Sequence, residues 1–223
     1  KKEIKEDAKK MESKALRVLA FAYKNLPKNA KPKEEGLIFL GFVGMIDPPR
    51  KEVKQAIKEC RDSGIKIKIL TGDSLNTAVA IAKQIGIFGK AIDSGQLDEL
   101  TDDELKRNIS KIEIFARITP EQKLRITKIL QELGEVVAIT GDGVNDALAL
   151  KSADIGVAMG IRGTDLARDV SDIVLADDNF ASIYEGVKMG RLTYDNIKKV
   201  VKYFLTVNFS ALALISLTLL LGF

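Results

Sequence analysis

Apolar residues recur along this chain on two alternating periods. Val53, Ala56, Ile57 and Cys60 follow a helical spacing within Glu52 to Ser63, and Gly64 stands where that helix would stop. The run Ile65-Lys66-Ile67-Lys68-Ile69-Leu70 then alternates β-branched and polar residues as a strand does. The same reading predicts helices over 76–85, 120–133 and 164–170, and strands over 112–116, 135–139, 154–159 and 172–175. Pro120 occupies a favoured first helical position. Short helices alternating with strands predict a parallel sheet with right-handed crossovers. Ahead of this region, residues 1–14 read as a charged helix and residues 15–23 and 36–46 as strands. Pro27 and Pro32 bracket a polar turn between those strands. Asp47-Pro48-Pro49-Arg50 reads as a stiff joint, because two prolines fix φ in succession. The acidic stretch from Asp93 to Asp103 reads as irregular.

From Ala181 one long helix runs into an apolar tail. Tyr203 to Phe223 comprises 21 residues without a charge, enough at 1.5 Å per residue to cross a hydrocarbon core of ~30 Å. The alternative is a buried C-terminal helix, which a charge-free run of this length fits less well. Lys198, Lys199 and Lys202 precede the tail, so the domain before it is expected on the cytoplasmic side. No signal peptide is expected in the charged opening segment.

Composition narrows the chemistry. The net charge of +4 comes from basic residues interleaved with acidic ones, which reads as a solvated surface. Aromatic residues make up 6% of the chain, too few for base stacking, so nucleic acid is not an expected partner. There is no histidine, which removes imidazole ligands and histidine bases. The single cysteine, Cys60, excludes an internal disulfide and reads as a small core residue.

Two loops share the sequence Thr-Gly-Asp: Thr71-Gly72-Asp73 and Thr140-Gly141-Asp142. Each closes a strand-like run and opens a helical one. The second continues as Gly143-Val144-Asn145-Asp146, gathering carboxylate and amide oxygens within one turn of chain. Ligands of open parallel sheets bind at the carboxyl ends of strands, where helix N-termini favour anions. Glycine lets the backbone approach a phosphate, and hard carboxylate oxygens suit Mg²⁺. Phosphate chemistry at a Mg²⁺ site is the expectation, with Asp142 and Asp146 as metal candidates.

Taken in order, Asp47-Pro48-Pro49-Arg50, Thr71-Gly72-Asp73, Thr140-Gly141-Asp142-Gly143-Val144-Asn145-Asp146, Gly163-Thr164-Asp165 and Leu175-Ala176-Asp177-Asp178-Asn179-Phe180 resemble the cation-pumping P-type ATPases. Within that family the resemblance is to calcium pumps of the sarcoplasmic reticulum and plasma-membrane types. It implies an α/β fold: a haloacid-dehalogenase-like Rossmannoid parallel sheet as phosphorylation domain, the tail of a nucleotide-binding domain, and a C-terminal transmembrane helix. The implied boundaries are 1–46 for the nucleotide-binding part, 47–180 for the phosphorylation domain, 181–202 for a stalk and 203–223 for the membrane helix. Such pumps use ATP and Mg²⁺ and pass through an aspartyl phosphate. The family's Asp-Lys-Thr-Gly-Thr motif, which carries the phosphorylated aspartate, is missing from this sequence, as is Lys-Gly-Ala. The chain is therefore expected to be a C-terminal-side piece, inactive alone, that works with the other segments of its pump, with membrane lipid and with a transported cation.

By the same resemblance, Asp142 is the direct Mg²⁺ ligand, with Asn145 and Asp146 supporting phosphate and metal. Lys123, three residues after Pro120, matches the lysine that contacts the transferred phosphate; by spacing alone it is a solvated helix lysine. Thr71 and Gly72 would offer a hydroxyl and an N–H to that phosphate, with Asp73 close to the hinge and nucleotide. Arg17 matches an arginine at the ATP phosphates and Arg117 one near the ribose, although either also fits an ordinary strand edge. Leu148 stands where the motif commonly has proline. Asn208, a polar amide inside the apolar span, matches a Ca²⁺ ligand of calcium pumps, and a structural interhelical amide is the alternative. Ala211 stands where two-ion pumps carry a carboxylate, so a single ion site is implied. Other readings left open are a pump for Na⁺, Mg²⁺ or Mn²⁺, a soluble phosphatase of the same superfamily, and a non-catalytic binding module. The phosphatase requires an Asp-x-Asp motif that this sequence lacks.

Overall fold

The computed structural model describes residues 2–14, 16–26, 31, 33–45 and 48–222. They fall into two units, Lys1–Asn179 and Phe180–Phe223. In the first, α1 (Lys2–Glu12) precedes β1 (Arg17–Tyr23) and β2 (Ile38–Met45), which pair antiparallel. There follow α2 (Val53–Asp62), β3 (Ile69–Leu70), α3 (Leu75–Gln84), β4 (Lys90–Asp93), α4 (Ser94–Asp98), α5 (Asp102–Asn108) and β5 (Ile112–Ala116). Next come α6 (Pro120–Glu132), β6 (Ala138–Gly141), α7 (Ala147–Ser152), β7 (Ile155–Met159), α8 (Asp165–Val170) and β8 (Ile173–Leu175).

The strands after β2 run parallel, as the alternating pattern predicts, but in two sheets ordered β3-β5-β4 and β6-β7-β8. β3 and β6 each have one hydrogen-bonded neighbour, and the segments leading into them are joined by the Lys66–Glu135 ion pair. Both strands are shorter at their start than the sequence pattern suggests. Residues 65–68 and 135–137 lie outside any ladder, because a strand with one partner is held only where that partner's backbone runs alongside. Lys68 instead donates to the carbonyls of Ile109 and Ile112, each at 2.6 Å.

The acidic stretch expected to be irregular is ordered. Asp93 and Gln96 form a capping box that opens α4, and Thr101 with Glu104 forms another that opens α5. Acidic residues there serve as helix caps, and the apolar ones between them face inward. Ile92, Leu97, Leu105 and Ile109 join Ile112, Phe115, Ile118, Ile126 and Ile129 in the main core, packed around β5. A smaller core of Leu150, Ala158 and Ala167 lies against β7. Ala56, Ile57 and Cys60 are buried on one face of α2, as the spacing requires. Gly64 ends α2 with φ +82°, leaving the next N–H free to reach the Cys60 carbonyl at 2.9 Å. The joint expected at Asp47-Pro48-Pro49-Arg50 begins outside the described residues; Arg50 donates to the Asp177 carbonyl at 3.4 Å.

The second unit is one helix, α9 (Phe180–Leu220), of 41 residues. Its length and mean hydropathy of 1.8 over the most apolar window suffice to cross a membrane. Within the apolar part, the hydroxyls of Thr206, Ser210 and Thr218 donate to the carbonyls four residues back, so their polarity is satisfied inside the helix. Among the described residues, the Asn208 amide has no such bond.

Asp154 braces the entry to β6 and β7 by accepting the Val137 N–H at 2.8 Å. That bond, followed by one from the Gln131 side chain, holds the Asp154 carboxyl below its ordinary range. A depressed carboxyl contributes stability above its unfolded value, ~3.9, and loses it as pH falls through the folded value. Urea titrations from neutral pH down to about pH 3 should therefore show a steeper loss of stability for the native chain than for Asp154→Asn.

Candidate active site

The carboxyl ends of the parallel strands gather most of the residues singled out from the sequence. Beyond β3, the Thr71 hydroxyl donates to Asp73 at 3.2 Å and accepts the Asp73 N–H at 3.1 Å. The backbone ties this loop to the end of β5: Arg117 N–H reaches the Asp73 carbonyl at 2.9 Å, and Ile118 N–H the Thr71 carbonyl at 3.1 Å. Arg117 adopts φ +54°, a left-handed conformation that costs a non-glycine residue roughly 1–2 kcal/mol. Its side chain is exposed, and its backbone N–H is what ties it to the Thr-Gly-Asp loop.

At the end of β6, a short turn over Val144–Asp146 leads into α7. Asp146 folds back within this turn, its carboxylate accepting the Gly143 N–H at 3.3 Å. A Cβ on Gly141 would lie 2.5 Å from the Asp146 Cβ, so only glycine lets Asp146 close over the loop. The other oxygen of Asp146 meets Lys123 Nζ at 2.5 Å, and these side chains are only 13% and 14% exposed. Lys123 projects from α6, which Thr119 and Gln122 open as a capping box with Pro120 in its first turn. The Lys123–Asp146 pair thus joins α6 to the Gly-Asp-Gly loop.

Asp142 and Asn145 are exposed on the same loop. No hydrogen bond or ion pair engages the Asp142 carboxylate among the described residues, while its carbonyl accepts the Thr164 N–H at 2.9 Å. No group of three or more histidine, cysteine, aspartate or glutamate side chains is placed to hold a metal among the described residues. The donors present nonetheless fit Mg²⁺, which keeps several waters and is bound through one or two carboxylates together with phosphate oxygens. Asp142 is the open carboxylate of the loop; Asp146 is already engaged.

The described geometry joins Thr71, Asp73 and Arg117 into one group and Lys123 with Asp146 into another. The side chain of Arg17 lies outside the described residues, although its backbone begins β1. Asn208 belongs to the other unit. The sequence reading gave no role to three further residues: Thr164, whose N–H binds the Asp142 carbonyl, and Arg168 and Asp178, which hydrogen-bond the 160–164 segment. Thr164 caps α8 through the Ala167 N–H, and a Thr before a helical run was the signal available for it. Asp178 lies within the Leu175–Phe180 motif, which marked the segment without a role for the residue, and nothing local in the sequence marks Arg168.

Comparison with known proteins bears on this arrangement. Residues 5–154 match the family described as haloacid dehalogenase-like hydrolase. The chain belongs to that family. Over 228 residues, covering 100% of the chain and 26% of the relative, it is 48% identical to a protein named calcium-transporting ATPase 1 from Bacillus cereus. It is 48% identical over 217 residues to a calcium-transporting ATPase from Bacillus subtilis, covering 94% of the chain and 24% of the relative. The calcium-transporting ATPase type 2C member 1 of Pongo abelii is 43% identical over 225 residues, covering 100% of the chain and 24% of the relative. The chain spans about a quarter of the length of these curated relatives. The likeness to P-type calcium pumps drawn from the ordered motifs is borne out, and so is the haloacid-dehalogenase-like α/β fold with parallel sheets and one helix able to span a membrane.

The Lys123–Asp146 pair sets a measurable expectation. Removing the lysine leaves a largely buried carboxylate with one N–H partner, at a cost of roughly 1–3 kcal/mol. Lys123→Met should lower unfolding stability by about that amount in urea titration, and Asp146→Asn should lower it less when Lys123 is already replaced. Additive losses would show that the pair contributes no coupling.

Proposed function

We propose that this haloacid dehalogenase-like chain forms part of a P-type calcium-transporting ATPase and supplies the phosphate-handling side of its phosphorylation site. The observation that carries this reading is the open Asp142 carboxylate just after β6, on the loop whose Asp146 holds Lys123. Phosphoryl transfer to a carboxylate needs charge neutralised on the non-bridging oxygens and a cation held nearby. Lys123 is a cation that the protein holds at this edge through Asp146. Its pairing with Asp146 restricts it to one position in the absence of phosphate. Thr71 and Gly72 face the reaction as a hydroxyl and an N–H donor. Asp142, with Asn145 and Asp146 in support, would hold Mg²⁺, which supplies a Lewis-acid clamp on phosphate oxygens when bound. Asp73, and Arg117 through its strained backbone, would line the approach to the nucleotide, as Arg17 would at the ATP phosphates.

The phosphorylated aspartate itself would come from the rest of the pump. β3 and β6 both have an open edge, and both end in the Thr-Gly-Asp loops, so a strand pairing with them would deliver its carboxyl end among Thr71, Lys123 and Asp142. The domain boundaries at 46/47, 180/181 and 202/203 belong to this reading, as does a cytoplasmic location for everything before the membrane helix. Three lysines just ahead of the apolar run support that orientation. In α9, Asn208 supports Ca²⁺ as the cargo: its amide oxygen is a hard ligand and has no partner within the helix among the described residues. Ala211 offers no oxygen, which favours one ion per cycle.

In the complete pump, Asp142→Ala should lower phosphoenzyme formation from labelled ATP by about a hundredfold or more, the scale of losing one preorganised charge-stabilising group. Near-native phosphoenzyme in that variant would reject the metal role. Asn208→Ala should raise the Ca²⁺ concentration needed for phosphorylation by ATP while leaving phosphorylation from inorganic phosphate intact. An unchanged Ca²⁺ titration, or activation by Na⁺ or Mg²⁺ alone, would reject the calcium assignment.

A further inference from the structure

The loop between β7 and α8 is held from both sides by side chains outside the Gly-Asp-Gly loop. Asp178 is 7% exposed, and its two carboxylate oxygens accept the N–H groups of Ile161 at 2.9 Å and Arg162 at 2.8 Å. From the opposite side, Arg168 donates to the carbonyls of Gly160 at 3.0 Å and Gly163 at 2.5 Å. A Cβ on Gly163 would fall 1.9 Å from the Met159 carbonyl oxygen, so the loop turns back tightly on its own strand. One residue further, the Thr164 N–H binds the Asp142 carbonyl at 2.9 Å. Asp178 itself sits at φ +51°, a conformation that an aspartate keeps only where its surroundings demand it. Burial alone would push its carboxyl up, but the N–H groups of Ile161, Arg162 and Gly160, with the charge of Arg50, more than offset this and hold it below the ordinary range.

We propose that Asp178 is a positioning residue for Asp142, acting through the clamped 160–164 loop and the Thr164–Asp142 bond. The inference rests on the metal role given to Asp142 above. A carboxylate ligand on a short loop points where its backbone points, and the peptide that follows Asp142 is held at both ends, its N–H by the Asp146 carboxylate at 3.3 Å and its carbonyl by the Thr164 N–H at 2.9 Å. Asp178 and Arg168 in turn hold Thr164, by engaging the loop's donors on one side and its acceptors on the other. Their ionic character makes these bonds stronger than neutral ones.

The test uses the 223-residue chain in detergent micelles, with Mn²⁺ as a paramagnetic stand-in for Mg²⁺ followed by water-proton relaxation. Amide exchange at Thr164 is followed by NMR, with the Gln122 amide of α6 as an internal standard. Asp178→Asn and Asp178→Gly are compared with the native chain, since both residues tolerate positive φ. Thr164 exchange should accelerate relative to Gln122 in both variants. Mn²⁺ affinity should fall about tenfold in the glycine variant and less in the asparagine variant, which keeps one acceptor oxygen. A purely conformational role predicts instead that glycine, being unstrained, matches the native chain. Native Mn²⁺ affinity in Asp178→Gly, or equal acceleration at Thr164 and Gln122, overturns the proposal. Asp142→Ala separates the two claims: if it leaves Mn²⁺ binding unchanged, the metal reading fails. If it weakens binding and the Asp178 variants do not, only the positioning role fails.

Discussion

Parallel pairing is the constraint on which this molecule depends. Because the strands of each sheet after β2 share one direction, each releases its chain at the same edge of its sheet. β6 leads directly into Asp142, β7 into the 160–164 loop, and β8 into a segment that reaches Asp178 three residues on, and these segments are stitched to one another by hydrogen bonds. β3 and β5 do the same for the Thr71–Asp73 loop and Arg117. Chemistry on such a scaffold is confined to the loops. The strands carry the apolar core that keeps the loop ends in register.

Polar pairing then orders the edge. A lysine and an aspartate drawn from different elements, both mostly buried, would each be costly alone and are tolerable together. Asp146 adds the Gly143 N–H, so a single carboxylate closes its own loop and holds a helix lysine. Asp178 does comparable work for the neighbouring loop with its two accepted N–H bonds. Among the described residues, Asp73, Asp146 and Asp178 at this edge are engaged in hydrogen bonds, while the Asp142 carboxylate is left open to solvent. That division explains how a loop with two acidic residues presents Asp142 as its available ligand.

Much of the fold was legible in residue spacing. The helical face of α2, the start of α6 at Pro120, and the parallel class of the sheets follow from periodicity and local chemistry. The stretch from Lys90 to Asn108 was not legible as structure. Its acidic residues have the composition of a loop, and the capping boxes emerge only when Gln96 folds back onto Asp93 and Glu104 onto Thr101. The full extent of β3 and β6 was over-read, because alternation marks a segment able to be a strand while pairing needs a neighbour along its whole length.

What the sequence determined by itself was local or strongly ordered along the chain: the alternation of helix and strand, the paired Thr-Gly-Asp loops, the charge-free C-terminal run, and the motif series that marks a relative of the cation pumps. Tertiary structure alone decided which carboxylate stays open and which are consumed. Lys123 and Asp146 are 23 residues apart, and Asp178 and Ile161 are 17 apart. No local periodicity encodes such pairs. They arise because a parallel sheet returns each chain to the same edge, bringing distant polar groups within the short reach at which a buried charge must find a partner.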